Sequence, residues 1–456
     1  MNKSQITFFS DVLGKDNFYY HPEDCWAYGY DNSKLHVLPD GVLLPENSSQ
    51  VQKVVKFCYE NKITISPRGR GTGNTGGSIP KKKGVVLSLE RMNKVLSINT
   101  IDRYCKVEPG ILNKDLQIEL SKNNFFWAPD PSSMAYSTIG GNIANNSAGP
   151  RAIKYGTPRD NILGLKFIDG LGVSHSVGVH TSKGVVGLDL TRILVGSEGT
   201  LGIITEATLK ILPKKESLMT FEICFKKTSH SIDFIKFVME KNHTPYSLEY
   251  LDKLSIKLIN NMMQGYFSNE TESALICEFD CNNEEKENIK SFIRELSEKC
   301  FAVKMKFAKD KENIQKIWKA RKSLSPALRN FGGYKINEDV VVPITNLNKF
   351  LKKVVEIGNH HNIQIVNFGH AGNGNIHVNL ILDSEQEKNS ENTKSCLLKI
   401  FNLVIELNGT LSGEHGIGII KKEYLNIEVD AITTDLMKKI KSQFDPGGIL
   451  NPDKSF

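Results

Sequence analysis

The sequence predicts an α+β protein of two domains, and three observations carry that reading. A short β-α-β unit runs straight into a glycine-rich loop. Four glycine-rich segments recur between strands from residue 67 to residue 202, and beyond residue 215 strands alternate with amphipathic helices. A chain of 456 residues is long for one core. Length by itself suggests two or three domains, with the glycine-rich segments in one of them and the alternating strands and helices beyond Pro213–Ser217 in another.

Gly41-Val-Leu-Leu-Pro45 reads as a strand, and Asn47 or Ser48 can cap a helix whose apolar face is Val51, Val54, Val55, Cys58 and Tyr59. The apolar run Ile63–Ser66 then delivers the chain into Pro67-Arg-Gly-Arg-Gly-Thr-Gly-Asn-Thr-Gly-Gly77. Glycines here let successive backbone N–H groups turn inward without side-chain obstruction, and Arg68 and Arg70 add positive charge, so a phosphate is the natural ligand. Gly71-x-Gly73-x-x-Gly76 satisfies the dinucleotide fingerprint literally, but that fingerprint requires a helix directly after the loop. Pro80, three adjacent lysines and Gly84 stand there instead, followed by a strand at Val85–Glu90. The loop joins strand to strand, which argues against a nicotinamide dinucleotide and for a diphosphate held mostly by backbone amides.

A strand at Tyr104–Glu108 and a helix at Leu112–Lys122 lead to the irregular stretch Ala128-Pro-Asp-Pro-Ser132. Small residues are then dense over Ser137-Thr-Ile-Gly-Gly-Asn-Ile-Ala-Asn-Asn-Ser-Ala-Gly149. Either a ligand lies against this backbone or two elements pack tightly there. Ile162–Ile168 and Gly202–Leu212 read as strands with Gly196-Ser-Glu-Gly-Thr-Leu-Gly202 between them. Four such segments suit one elongated ligand threaded through one domain.

Composition narrows the class. The 58 basic and 51 acidic residues leave a net charge of +7 spread without a long basic run or interleaved aromatics, so nucleic acid is not the expected partner. Eight cysteines show no C-x-x-C pair and no iron–sulfur spacing, so they are expected to be reduced and structural. Met1–Phe9 lacks the apolar core of a signal peptide and no stretch reaches 18 apolar residues. A cytoplasmic location is expected, with any attachment at the inner membrane peripheral and supplied by a partner.

Pro-Arg-Gly-x-Gly-Thr-Gly, Pro-Asp-Pro, Thr-Ile-Gly-Gly-Asn and Gly187-Leu-Asp-Leu-Thr-Arg-Ile-Leu-Val-Gly-Ser-Glu-Gly-Thr-Leu-Gly-Ile-Ile-Thr205 resemble the FAD-binding domain of the vanillyl-alcohol oxidase (p-cresol methylhydroxylase) type. Within it the likeness is to the FAD-linked chain of glycolate oxidase and to D-lactate and D-2-hydroxyglutarate dehydrogenases, from about residue 20 to the C-terminus. The resemblance implies an FAD with its pyrophosphate on residues 68 to 74. Its contacts would be Arg68, Gly69, Arg70, Gly71, Thr72, Gly73, Asn74 and Gly77, then Pro129, Asp130, Thr138, Gly141, Asn142 and Gly149, then Glu198 and Ile203. The loop has no histidine, so the flavin is expected to be non-covalent. The tail Phe444–Asp453 would return to the flavin domain and bring Asn451 to the flavin. After the linker Pro213–Ser217, strands at 221–225, 274–279 and 301–307 and helices at 231–240 and 285–299 resemble the family's cap domain, so the resemblance implies an FAD-binding domain of two subdomains over 1–214, an α/β cap domain with an antiparallel sheet over 215–443, and a C-terminal segment over 444–456 that returns to the FAD domain.

The cap carries the chemistry. Ile365–His370 and Ile376–Leu380 are strand-like and joined by Ala-Gly-Asn-Gly-Asn, so a hairpin would bring His370 and His377 together. Gly413-Glu-His-Gly-Ile-Gly418 offers a carboxylate beside an imidazole, and two histidines plus one glutamate can form a divalent site with positions left open. The resemblance makes His370, His377 and Glu414 ligands of zinc or manganese and His415 the base, with Asn373 standing where relatives often carry aspartate. It also assigns Arg321 to the substrate carboxylate, and Lys335 and Asn379 to further substrate contacts. The function implied is oxidation of a D-2-hydroxy acid of the lactate, glycolate or 2-hydroxyglutarate class to the 2-oxo acid. Electrons would pass to a separate acceptor, a quinone, an electron-transfer flavoprotein or an iron–sulfur subunit, and a homodimer is an expected assembly. The alternatives are a non-catalytic FAD-binding subunit and a zinc hydrolase that needs no flavin.

Overall fold

The computed structural model describes residues 1–181, 183–331 and 334–456, so Gly333, two residues before the expected substrate contact Lys335, lies outside the described residues. It divides into two compact units: 1–149, 156–214 and 414–456 form the first, and 150–155 with 215–413 form the second. The chain rejoins the first unit at Glu414 rather than 444, because Gly418 and Ile419 are hydrogen-bonded through their backbones to Glu198 and Thr75. Pro150–Tyr155 belongs with the second unit because Lys154 and Tyr155 both bind the Asp280 carboxylate.

In the first unit, β1 (Phe18–Tyr19), β2 (Gly41–Leu43), β3 (Ile65–Arg68) and β4 (Val85–Ser88) form a four-stranded sheet in the order β1-β2-β4-β3. β2 and β3 both run parallel to β4. The helix Ser48–Glu60 links β2 to β3, capped by Asn47, whose side chain accepts the Gln50 N–H at 3.0 Å. Val51, Val54, Val55 and Cys58 are fully buried, each aliphatic side chain contributing about 1.5–3 kcal/mol, whereas Tyr59 stays at the surface. The glycine-rich segment then crosses from β3 to β4 with no helix among its residues. Strand pairing runs two residues further than expected, through Pro67 and Arg68.

β5 (Val95–Asn99), β6 (Tyr104–Val107), β8 (Ile162–Ile168), β9 (Ser174–Gly178) and β10 (Ile203–Lys210) form a second, antiparallel sheet, while β7 (Phe125–Phe126) pairs with β11 (Leu212–Pro213). Within the small-residue stretch the structure has a helix, Ile139–Asn145, that propensity alone does not announce, since Gly140, Gly141 and Asn142 are poor formers. Thr138 caps it by accepting the Gly141 N–H at 3.2 Å, and Ile139 and Ile143 pack into the core with Val107, Trp127 and Phe167. Tertiary packing overrides the weak local preference.

The second unit is a seven-stranded antiparallel sheet, ordered β15-β12-β14-β13-β17-β18-β16. Its strands are β12 (Ser217–Phe225), β13 (Ser247–Leu251), β14 (Ser273–Cys281), β15 (Ala302–Phe307), β16 (Tyr334–Val341), β17 (Gln364–Gly369) and β18 (Asn375–Leu382). Phe368 stands opposite His377, and His377 opposite Asp339, so their side chains share one face with Asn379, Asn337 and Lys335. Glu249 and Leu251 reach the same face from β13, since Leu251 is opposite Phe368. Ala320 and Leu324 of the helix Lys311–Phe331 pack there against Leu251, Val366 and Phe368. No helix among the described residues is long and apolar enough to cross a membrane.

Candidate functional site

The glycine loop borders a cavity of about 260 Å³ within the first unit. Arg68, Gly69, Arg70, Gly71, Thr72, Gly73, Asn74 and Gly77 line it, as do Thr138, Gly141, Asn142, Glu198 and Ile203, all named by the sequence. The glycines separate into two kinds. A Cβ on Gly73 would meet only Asn145 Nδ2, at 3.6 Å, and one on Gly77 only Glu198 Oε2, at 3.9 Å, so both positions open toward the cavity. A Cβ on Gly69 would come within 2.4 Å of Thr138 Oγ1, and one on Gly140 within 2.6 Å of Pro109. Close packing explains those two. Within Ser137–Gly149, Gly140 and Gly149 are closely packed against Pro109 and Asp130, and Gly140 and Gly141 also line the cavity.

The two arginines act differently from one another. Arg68 is buried, and its Nη1 donates to the Tyr30 carbonyl at 2.7 Å and to Ser78 Oγ at 3.3 Å, bracing the loop. Burial pulls its pKa below the usual arginine value, with Asp31 opposing. Arg70 is exposed and pairs with Glu90 at 2.8 Å.

Four sequence-named contacts do not line the cavity. The Pro129 carbonyl accepts Asn113 Nδ2 at 3.1 Å, and Gly149 packs so closely on Asp130 that a Cβ would lie 2.1 Å from its carbonyl oxygen. Asn451 is buried behind the loop: its Nδ2 donates to the Gly77 and Glu198 carbonyls at 2.9 and 2.6 Å, and its Oδ1 accepts from Lys454. It supports the cradle from the rear. Lys454 also donates to the Gly77 carbonyl, at 2.9 Å, and burial lowers its pKa to about 7 against the pull of Asp31 and Glu198.

Glu414 and His415 line this same cavity. Their loop is held by the first unit: Thr75 Oγ1 donates to the His415 carbonyl at 3.1 Å, and Glu198 accepts the Ile417 and Gly418 N–H groups at 2.7 and 2.8 Å. Gly416 and Gly418 adopt positive φ, and a Cβ on Gly418 would lie 2.2 Å from the Thr75 carbonyl oxygen. Burial raises the Glu198 pKa above the carboxylate value, which the two N–H groups and Lys454 oppose without reversing. Glu198, named as a cofactor contact from sequence, thus also fixes the backbone beside His415.

In the second unit β17 and β18 form the expected hairpin, and the His370 and His377 rings lie 5.3 Å apart between centroids, nearly perpendicular. The turn Ala371–Asn373 closes with the Asn373 N–H on the His370 carbonyl, at 3.0 Å. Asp339, fully buried opposite His377, accepts Asn375 Nδ2 at 2.7 Å and the Gly413 N–H at 3.0 Å. Arg321 reaches the same sheet face, its guanidinium 4.5 Å above the Phe368 ring. Asn379 is buried with its amide engaged, Nδ2 on the Val366 and His377 carbonyls and Oδ1 accepting from Asn337 Nδ2 at 2.7 Å. Lys335 stands opposite Ile381 on the same face.

Sequence reasoning missed Glu249. Its Oε1 accepts from His370 Nδ1 and its Oε2 accepts Arg321 Nε at 2.7 Å. Burial pushes its carboxyl up, but His370 and Arg321 more than reverse that and hold it below the usual carboxylate range. One glutamate within the buried strand Ser247–Leu251 carries no motif, so no local signal could have found it.

Residues 39–178 match an FAD binding domain, and residues 214–455 match the C-terminal domain of FAD linked oxidases. The chain belongs to the FAD-linked oxidase family. It is 34% identical over 446 residues to glycolate oxidase subunit GlcD of Bacillus subtilis, covering 98% of this chain and 95% of that one. It is 31% identical over 452 residues to D-lactate dehydrogenase of Archaeoglobus fulgidus, covering 97% and 98%. The structure of p-cresol methylhydroxylase with substrate bound superposes with a TM-score of 0.77 over 99% of this chain and 96% of that chain, at 16% identity, which shows the shared fold. This FAD-linked oxidase is therefore an oxidoreductase with FAD as cofactor, and a flavin-free zinc hydrolase is set aside. The residues fit that cofactor: the openings at Gly73 and Gly77 leave the loop backbone accessible in the cavity wall.

Proposed function

We propose that this FAD-linked oxidase converts a D-2-hydroxy acid of the glycolate, D-lactate or 2-hydroxyglutarate class to its 2-oxo acid. The observation that carries the reading is the presence of Glu414 and His415 in the wall of the cavity cradled by the glycine loop. An imidazole in a flavin cavity, beside a carboxylate able to hold a cation, suits removal of a hydroxyl proton during oxidation of the carbon that bears it. The relatives named for glycolate and D-lactate support the substrate class.

FAD, when bound through residues 68–74 and 77, supplies the two-electron acceptor that the oxidation needs. The loop lacks histidine, which supports non-covalent attachment. Arg321 would bind the substrate carboxylate. Its Nε is committed to Glu249, so the two terminal amino groups serve the ligand in a bidentate grip. Lys335 would add a charge from the same face, and Asn379 would act with one remaining lone pair of its carbonyl oxygen. His415 would take the hydroxyl proton on a ring nitrogen.

A divalent ion, zinc or manganese, would be held by His370, His377 and Glu414. When bound it would lower the pKa of a hydroxyl in contact with it. The donor chemistry fits: two imidazoles meet at one hairpin, one of them is oriented by a carboxylate on its far nitrogen, and Gly413, anchored on Asp339, precedes Glu414. Among the described residues all eight cysteines are free and buried, which supports export of electrons to a separate quinone, flavoprotein or iron–sulfur subunit.

The test is anaerobic bleaching of the flavin by glycolate and by the D and L forms of lactate and 2-hydroxyglutarate. Rapid bleaching by one D acid or by glycolate supports the reading. Flavin that none of these reduces would overturn it.

A further inference from the structure

We infer that Glu249 is a positioning residue that couples the arginine on the substrate carboxylate to the histidine pair, an inference resting on the roles proposed for Arg321, His370 and His377. Tyr250 stands opposite Gly369 across β13 and β17, so the next residue in each strand sets Glu249 opposite His370. One carboxylate oxygen accepts from His370 Nδ1 and the other accepts Arg321 Nε at 2.7 Å. The Glu249 side chain is 1% exposed, and those of Arg321 and His370 are 13% and 11% exposed. A carboxylate so deeply buried is stable only with its partners in place, because water cannot substitute for them.

The two bonds have different consequences. A carboxylate on Nδ1 keeps the proton on that nitrogen, which turns the lone pair of His370 Nε2 outward as the ligating atom. Binding Nε of Arg321, while Phe368 lies 4.5 Å beneath the guanidinium, fixes the plane in which the two terminal amino groups project. Phe368 itself stands opposite His377. One carboxylate therefore sets the angle of a carboxylate-binding fork and the tautomer of an imidazole. Moving it disturbs both.

The experiment compares the FAD-loaded full chain with Glu249→Gln, Glu249→Asp, Arg321→Lys and the Glu249→Gln/Arg321→Lys double variant. Zinc retention is read by competition with a chelator, and KM and kcat are read with D-lactate. Glutamine puts an amide NH2 against one of two donors, so Glu249→Gln should lose zinc at roughly 10–100-fold lower chelator and raise KM, with FAD content unchanged. Because Glu249 acts on the substrate carboxylate through Arg321, the KM of the double variant should match the worse single variant, while zinc loss follows the Glu249 change alone. Wild-type zinc affinity together with wild-type KM in Glu249→Gln overturns the inference, as do KM effects that multiply in the double variant. If Glu249→Gln does not fold, Glu249→Asp, too short to span both partners, should show the same two losses, and showing neither overturns the inference. A wild-type protein that turns over without any metal instead removes the proposed metal site and leaves the KM coupling to decide on Glu249.

Discussion

Glu198 Oε2 accepts the Gly418 N–H at 2.8 Å across 220 residues of sequence, with Oε1 taking Ile417 beside it. This carboxylate replaces solvent for two backbone donors and so holds the His415 loop in the cavity wall. Replacing it with glutamine places an NH2 opposite one of those N–H groups. Glu198→Gln should destabilise the protein by about 1–3 kcal/mol and slow flavin reduction more than it lowers flavin content. Thermal unfolding, the flavin-to-protein absorbance ratio and stopped-flow bleaching measure these together, and wild-type values in all three would remove the positioning role.

Gly73 and Gly149 should respond oppositely. A side chain on Gly73 enters the cavity, so Gly73→Val should leave a folded, soluble protein that purifies with little FAD. Gly149→Ala forces a Cβ onto the Asp130 carbonyl and should lower the melting temperature in the presence and absence of added FAD. Full flavin content in Gly73→Val would show that the opening is not used.

Chelation should abolish turnover while the flavin spectrum persists, with zinc or manganese restoring it. Glu414→Gln should weaken metal retention, and excess metal should partly rescue it. His415→Asn should keep metal and FAD yet reduce the flavin about 10² to 10⁴-fold more slowly, without rescue. Metal loss from His415→Asn with retention in Glu414→Gln would exchange the two roles.

Burial raises the Asp252 carboxyl to about 6, against the pull of the Ser255 and Asn367 N–H groups that it caps. The folded protein therefore binds this proton more tightly than the unfolded chain. The stabilisation is complete below about pH 4 and is lost as pH rises through 6, a change of roughly 3 kcal/mol for two units. Asp252→Asn lacks that titration, so the difference in unfolding free energy between wild type and variant should fall by about that amount from pH 4 to pH 7. Parallel curves in urea titrations across this range would refute it.

Local chemistry was legible in the sequence. Asn47 capping its helix, the strand-to-strand glycine loop and the hairpin that joins His370 to His377 each rest on residues within a few positions of one another. Turn residues, caps and periodicity act at that range. The helix Ile139–Asn145 was not legible, because glycines form it only under the packing of Ile139 and Ile143. Tertiary structure alone decided which glycines open to a ligand and which admit a neighbour. It also decided that Asn451 clamps Gly77 from behind across 374 residues, that Asn379 bridges strands, and that Glu249 meets His370 across 121 residues. Those contacts follow from sheet register and from which buried carboxylate faces which donor, and register depends on the pairing of strands far apart in the chain.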